Sequence, residues 1–303
     1  MSDNPPTEKM VVGVIGLGIM GGAFAHNALK AGFTVVGHDL LEGNVKTLTN
    51  AGGIDGQNPR KVAEQSDVVI SSLPGTASFH EVMSGNNGIS AASKPGLVVI
   101  ECSTLAVEDK QLAHDTLDDV GTILLDCPVS GTGAQARTGD LSFYVSGDKS
   151  ASERCQPVFD AMGNHTFYVG EFGNGSKMKF VANVLVAIHN VASAEAMVLG
   201  MKAGLDPGTL FNVIKAGAGN SRIFELRAPM MVENNYDNAT MKMDVWQKDM
   251  AIIGEFAGKL DCQIPLFTES AKVYDAGITQ GMAKLDTASV CRVLENLASL
   301  ERI

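Results

Sequence analysis

The chain has 303 residues, 45% hydrophobic and 19% charged, which allows two domains with a sizeable core and is ordinary for a globular enzyme. Its net charge of −11 and pI near 5.0 argue against nucleic acid and anionic membrane surfaces as partners, because both demand a basic face. An anionic substrate therefore needs a local positive site set against that field.

The five cysteines, Cys102, Cys127, Cys155, Cys262 and Cys291, are scattered and form no C-x-x-C pair, so free thiols in a reducing cytoplasm are expected. No apolar run is read as approaching the roughly 20 residues of a membrane span. The first nine residues, MSDNPPTEK, lack the apolar core of a signal peptide and are expected to form a short frayed tail.

The first element is the most informative. The apolar run Val11 to Ile15 predicts a strand that enters a glycine turn, where Gly16, Gly18 and Gly21 stand in G-x-G-x-x-G spacing. A helical pattern follows, with Met20, Phe24, Ala28 and Ala31 on one face, ending at Gly32. Thr34 to Gly37 predict a second strand, and Asp39 comes just after it. The spacing suits a dinucleotide. The first glycine permits the tight turn, the second lets backbone approach a pyrophosphate, and the third lets helix pack on strand. The phosphates then meet free N–H groups at a helix N-terminus. An acid at the tip of the second strand accepts hydrogen bonds from a ribose 2′-hydroxyl and repels a 2′-phosphate, so Asp39 favours NAD over NADP. His38 is read as a rim residue.

Beyond Asp39, helices alternate with apolar strands. Asn58-Pro59 starts a helix; Asp67 to Leu73 and Leu97 to Glu101 read as buried strands. Val107 to Asp119 reads as a helix and Thr122 to Leu125 as a strand. Phe143 to Ser146, a helix near 151–161, and Thr166 to Val169 complete this half. The prediction is a Rossmann-like, doubly wound, mostly parallel sheet over residues 1–170. Residues 171–303 read as all-helical, opening with one long helix near 175–203. Helices over 207–215, 223–232, 245–260, 265–277 and 287–300 follow it. The fold class is thus α/β followed by an all-α C-terminal domain.

In such a sheet, ligands bind beyond the carboxyl ends of the strands. Leu73-Pro74-Gly75, Ser103-Thr104 and the run Asp126 to Asp140 reach that edge. The last has too many small residues for a helix or central strand, and Ser130, Gly131, Thr132 and Gly133 offer donors to a small anion or simply make a surface turn. The long helix carries Lys179, Asn183, Val186 and Asn190 on one face. That face either lines a cleft with Lys179 aimed at substrate, or packs with Lys179 snorkelling to solvent. The six histidines show no metal-ligand spacing, so no metal site is expected.

Taken together, these stretches resemble the β-hydroxyacid dehydrogenases, the group of 3-hydroxyisobutyrate dehydrogenase and tartronate semialdehyde reductase. Four signatures match in order over nearly the whole chain. They are Gly16 to Gly21 (GLGIMG) with the tail Asn27-x-Leu29-Lys30-x-Gly32; Asp126 to Gly131 (DCPVSG); Gly173-x-Gly175 with Lys179 and Asn183; and Lys248-Asp249-Met250. The resemblance implies an active site between a Rossmann domain and a helical one. It implies Lys179 as the catalytic residue, with Asn183 holding substrate and Ser130, Gly131 and Thr132 cradling a carboxylate. It implies NAD held by Gly16, Leu17, Gly18, Ile19, Met20, Gly21 and Asp39, lined by Leu73, Pro74 and Thr104, with Lys248 closing over it. A homodimer or homotetramer is likewise implied. The chain departs from the family's S-G-G run at Thr132 and again near Gln135. Arg222 either pairs with a second anionic group of the substrate or is a surface arginine.

The function expected is NAD-dependent hydride transfer to and from a small β-hydroxy acid, with a lysine as proton shuttle. The alternatives are a reductase of small semialdehydes and, more remotely, a non-catalytic dinucleotide-binding module. The related 6-phosphogluconate dehydrogenases have a much longer helical domain, and imine reductases typically lack the lysine.

Overall fold

The computed structural model describes residues 10–302, so the expected N-terminal tail lies outside the described residues. From the amino end the elements are β1 (Val11–Ile15), α1 (Ile19–Lys30), β2 (Thr34–His38), α2 (Glu42–Asn50), β3 (Ile54–Asp55), α3 (Pro59–Gln65) and β4 (Val68–Ser71). Next come α4 (Thr76–Ser84), a 3-10 turn at Ile89–Ala92, β5 (Val98–Glu101), α5 (Val107–Asp118) and β6 (Ile123–Asp126). Then follow β7 (Val129–Ser130), α6 (Gly133–Thr138), β8 (Ser142–Val145), α7 (Lys149–Arg154), α8 (Gln156–Met162) and β9 (His165–Tyr168).

Six strands form a parallel sheet in the order β3-β2-β1-β4-β5-β6. β4 and β5 are buried along their whole length, as strands covered on both faces must be. Alternate residues serve opposite faces. Val12, Val14, Val68 and Ile70 pack with Phe24 of α1 on one side, while Ile15, Val69, Val99 and Leu124 pack with Phe79, Met83 and Leu117 on the other. Within α1, Phe24 and Ala28 are buried as the helical spacing requires, but Ala31 is exposed and caps the helix end.

The structure corrects the sequence reading in several places. β8 and β9 do not extend the large sheet: with β7 they make a separate three-stranded sheet, β7-β8 antiparallel and β8-β9 parallel. The run Asp126 to Asp140, set aside as irregular, contains β7 and α6. The single helix expected near 151–161 is two, parted at Cys155, because Pro157 lies in the first turn of α8 and cannot continue α7.

The chain divides into two compact units, one ending at Lys179 and the other beginning at Phe180. The division falls inside α9 (Asn174–Lys202). α10 (Pro207–Ala216), α11 (Arg222–Glu233), α12 (Met243–Lys259), α13 (Pro265–Thr279) and α14 (Val290–Leu297) complete the second unit, with Phe224, Met231, Trp246, Ile253 and Tyr274 in its core. The last predicted helix starts late, because Asp286 caps a 3-10 turn over Thr287–Ser289 first. Contrary to the sequence reading, α9 is long and apolar enough to cross a membrane, with a window of mean hydropathy 1.6. Its buried polar residues have protein partners, however: Asn190 donates to the Tyr274 hydroxyl and to the Thr287 carbonyl, both at 2.9 Å.

Candidate active site

The glycine turn is built by backbone necessity at two of its three glycines. Gly16 has φ +84°, and a Cβ there would stand 2.2 Å from the Ser72 carbonyl oxygen. A Cβ on Gly21 would stand 1.8 Å from the Gly16 carbonyl oxygen. Gly18 differs: a Cβ there would meet no protein atom within 4 Å. It is exposed, is the N-cap of α1 and has no side chain to cap the helix, so the helix end is open beside exposed Ile19 and part-buried Met20. That opening fits a pyrophosphate. Leu17, by contrast, is buried in the core.

Asp39 closes this turn from the end of β2. Its carboxylate accepts from the Leu17 N–H at 2.7 Å, the Leu41 N–H at 2.7 Å and Asn44 Nδ2 at 3.1 Å. The side chain is thereby fixed at the sheet edge, with Oδ1 keeping one lone pair for a further donor. Burial holds the His38 imidazole below its usual range, against the pull of Asp39 and Asp55. It therefore adds no positive charge beside the two acids at neutral pH.

Two neighbouring loops are tied together. The Leu73 N–H donates to Ser103 Oγ at 2.8 Å, and the Ser103 N–H donates to Glu101 Oε1 at 2.7 Å. Pro74 is exposed between Leu73 and α4, and Thr104 is half-buried. Behind them Asp109 joins α5 to α4, pairing with His80 at 3.0 Å and accepting from Thr76 Oγ1 at 3.1 Å.

The loop after β6 carries Ser130 in β7 and Thr132 as the N-cap of α6. Here the two departures from the family pattern prove to be partners. The Thr132 N–H donates to Gln135 Oε1 at 3.0 Å, and its hydroxyl lies 3.3 Å from the same oxygen. Gln135 in turn donates to Asp140 at 3.0 Å. The Thr132 donors expected to meet an anion are thus engaged in a capping box, which a T-x-x-Q pattern encodes. Asn27, from the family's first signature, donates from Nδ2 to the Ala136 carbonyl at 2.8 Å and pins α6 to α1.

α9 is seated against the same edge. A Cβ on Gly175 would stand 2.5 Å from both the Asp126 and Tyr144 carbonyl oxygens, so only glycine lets the helix approach so closely. Ser176 then donates twice to the Asp126 carboxylate, from N at 2.7 Å and from Oγ at 2.8 Å. Lys179 is one turn further, i+4 from Gly175 and i+3 from Ser176, and so shares their face. In the second unit, Asn183 is buried and donates to Asp249 Oδ2 at 3.4 Å, while Lys248 Nζ lies 3.5 Å from Asp249 Oδ1. Asp249 therefore joins Asn183 to Lys248, a link the sequence did not suggest. Arg222 is largely exposed and pairs with Glu225 on its own helix at 3.2 Å. Among the described contacts none joins it to Asn183 or Lys248.

Cys102 and Cys127, beside this edge, are buried, and burial pushes both thiols well above their usual range, which disfavours the thiolate.

A family model described as the NAD binding domain of 6-phosphogluconate dehydrogenase matches residues 11–170. A second, described as NAD-binding of NADP-dependent 3-hydroxyisobutyrate dehydrogenase, matches residues 173–294. The chain belongs to the β-hydroxyacid dehydrogenase family. It is 34% identical to an L-threonate dehydrogenase of Haemophilus influenzae, over 96% of this chain and 97% of that one. It is 32% identical to a 2-hydroxy-3-oxopropionate reductase of Escherichia coli, over 96% and 99%. A solved structure of 3-hydroxyisobutyrate dehydrogenase from Mycobacterium tuberculosis with L-serine superposes with a TM-score of 0.86 at 27% identity, covering 94% of this chain and 99% of that one. The protein is therefore an oxidoreductase of hydroxy acids that works with a nicotinamide dinucleotide.

Proposed function

We propose that the protein is an NAD-dependent dehydrogenase of a small β-hydroxy acid of the 3-hydroxyisobutyrate kind, with Lys179 as its proton shuttle. The observation that carries this reading is the seating of α9 at the carboxyl edge of the sheet. Gly175 and Ser176 meet Asp126 there, and Lys179 stands on the same face one turn later. When bound, the nicotinamide accepts or returns the hydride. The backbone N–H groups after Gly18 hold the pyrophosphate, and Asp39 accepts from the ribose hydroxyls. Lys179 Nζ takes the substrate hydroxyl proton in oxidation and returns it in reduction, and it donates a hydrogen bond to the oxygen as the carbonyl forms. Ser130 and Gly131 hold the substrate carboxylate, with Thr132 beside them turning its N–H and hydroxyl from Gln135 to the carboxylate when substrate binds, and Asn183 orients the substrate through its tie to Asp249. Leu73, Pro74 and Thr104 line the nicotinamide, and Lys248 covers it.

The preference for NAD is supported by Asp39 and Asp55 beside a neutral His38, a setting hostile to a 2′-phosphate. A second reading, a reductase of a small semialdehyde, is favoured by the similarity to the Escherichia coli reductase, and use of NADPH by the NADP-dependent dehydrogenase named in the description of the model that matches residues 173–294. The free cysteines suit a cytoplasmic enzyme, and exposed Val181, Leu185 and Leu199 on α9 suit a homodimer or homotetramer. The test is Lys179→Ala. Turnover falls by about a thousandfold or more while NAD still binds, as removal of an acid–base group combined with an oxyanion donor requires. Near-normal turnover with bound NAD would remove Lys179 from the mechanism.

A further inference from the structure

Three ionisable side chains that contribute to no proposed contact with substrate or cofactor are wholly buried at the edge of the sheet: Glu101, Lys110 and Asp126. Glu101 and Asp126 are register partners at the ends of β5 and β6. Lys110, from α5, pairs with Asp126 at 2.8 Å, and its charge also acts on Glu101. A buried ion pair adds little net stability over apolar packing of the same shape, so its geometric effect is the more informative property.

The cluster has two arms. Through Glu101 it takes the Ser103 N–H, and Ser103 Oγ takes the Leu73 N–H, so one arm sets both loops that line the proposed nicotinamide site. Through Asp126 it holds the first turn of α9 by both Ser176 donors. Ser146 reinforces the second arm. Its Oγ accepts from the Gly175 N–H at 2.9 Å and donates to the Asp126 carbonyl at 3.1 Å. Three hydrogen bonds from Gly175 and Ser176 thus tie the first turn of the helix to the ends of β6 and β8.

We propose that Asp126, held by Lys110, is the positioning residue for Lys179, and that the cluster is the common anchor of the cofactor loops and the catalytic helix. The inference rests on the reading of Lys179 as proton shuttle. Asp126 touches neither substrate nor cofactor. It acts by holding Lys179 Nζ in line with the hydroxyl proton, where a displacement of about 1 Å costs on the order of a hundredfold in rate.

The test uses the full-length enzyme with NAD and a turned-over hydroxy acid, unlabelled and deuterated at the carbinol carbon. Asp126→Asn keeps the side chain's shape. It is expected to lower kcat by tenfold to a hundredfold and leave the KM for NAD within about twofold. It should also raise the isotope effect on kcat, because the chemical step becomes limiting. Added to Lys179→Ala, the same substitution is expected to cause no further loss, since its effect runs through the lysine. If Asp126→Asn does not fold, Ser176→Ala carries the same readouts, because it removes one hydrogen bond and leaves the ion pair intact. Wild-type kcat in the folded variant, or losses that multiply on the Lys179→Ala background, would overturn the proposal. Those outcomes are distinct from failure of the Lys179 reading, in which Lys179→Ala alone keeps its turnover.

Discussion

Replacing Lys110 by methionine removes a buried ammonium and leaves an apolar chain of similar length in its place. Asp126 then keeps two short donors from Ser176, but loses Lys110, its only cationic partner among the described residues, at 2.8 Å. Breaking a buried pair from one side costs about 3–5 kcal/mol. The retained donors, each a bond to a charged group, place the loss near the lower end, about 3 kcal/mol. With a urea dependence of about 3 kcal/mol per molar for a chain of this size, the unfolding midpoint moves down by about 1 M. Adding Asp126→Asn removes the stranded charge, and the double variant is expected to recover most of that loss. The assay is urea unfolding followed by circular dichroism for wild type, both single variants and the double variant. If Lys110→Met matches wild type, or if the double variant loses the sum of the two single losses, the cluster is not an ionic anchor.

The glycines of the turn should separate under alanine substitution. Gly21→Ala drives a methyl into the Gly16 carbonyl and is expected to prevent soluble expression, whereas Gly18→Ala folds normally and weakens NAD binding, read by calorimetric titration. Asp39→Ala removes the acceptor for the ribose hydroxyls and the repulsion of a 2′-phosphate, so the ratio of kcat/KM for NAD to that for NADP falls by about tenfold or more. An unchanged ratio would mean that Asp39 does not face the ribose. Burial raises the Glu101 carboxyl above its ordinary value of 4.5, with Lys110 and Ser103 opposing the rise. The folded state then keeps this proton longer than the unfolded chain, and stability falls as pH rises from about 4.5 through the folded value. Glu101→Gln does not titrate, so its melting temperature gains on wild type over that interval. A constant difference would show that Glu101 is not protonated there.

Much of the first unit was legible because its determinants are local. Gly21 is demanded by the Gly16 carbonyl in the preceding turn and Gly16 by its own φ of +84°, although its closest neighbour, Ser72, is distant in sequence, and the apolar runs of β1, β4 and β5 declare burial on both faces. The second sheet was missed because β7 and β9 find their partner only through β8, a pairing that no period along the chain reveals. Lys110 was invisible for a related reason: in α5 it follows Glu108 and Asp109 and reads as part of a solvated face. Its burial depends on the end of β6, 16 residues away. The Thr132–Gln135 capping box was encoded locally, but the abundance of small residues hid it. Arg222 shows the opposite case, a charge given two readings whose i,i+3 partner Glu225 was already in the sequence and suits the surface one.

The central claim is that this chain moves hydride between NAD and a small hydroxy acid. The most direct test is initial rates followed at the absorbance of reduced nicotinamide, with NAD and with NADP, on 3-hydroxyisobutyrate, 3-hydroxypropionate, glycerate, serine, threonate, 4-hydroxybutyrate and sulfonated analogues. The corresponding semialdehydes should be run in the reverse direction. The account predicts turnover of at least one hydroxy acid with NAD, faster than with NADP. Absence of turnover in both directions with either dinucleotide, while the dinucleotide binds, would contradict it.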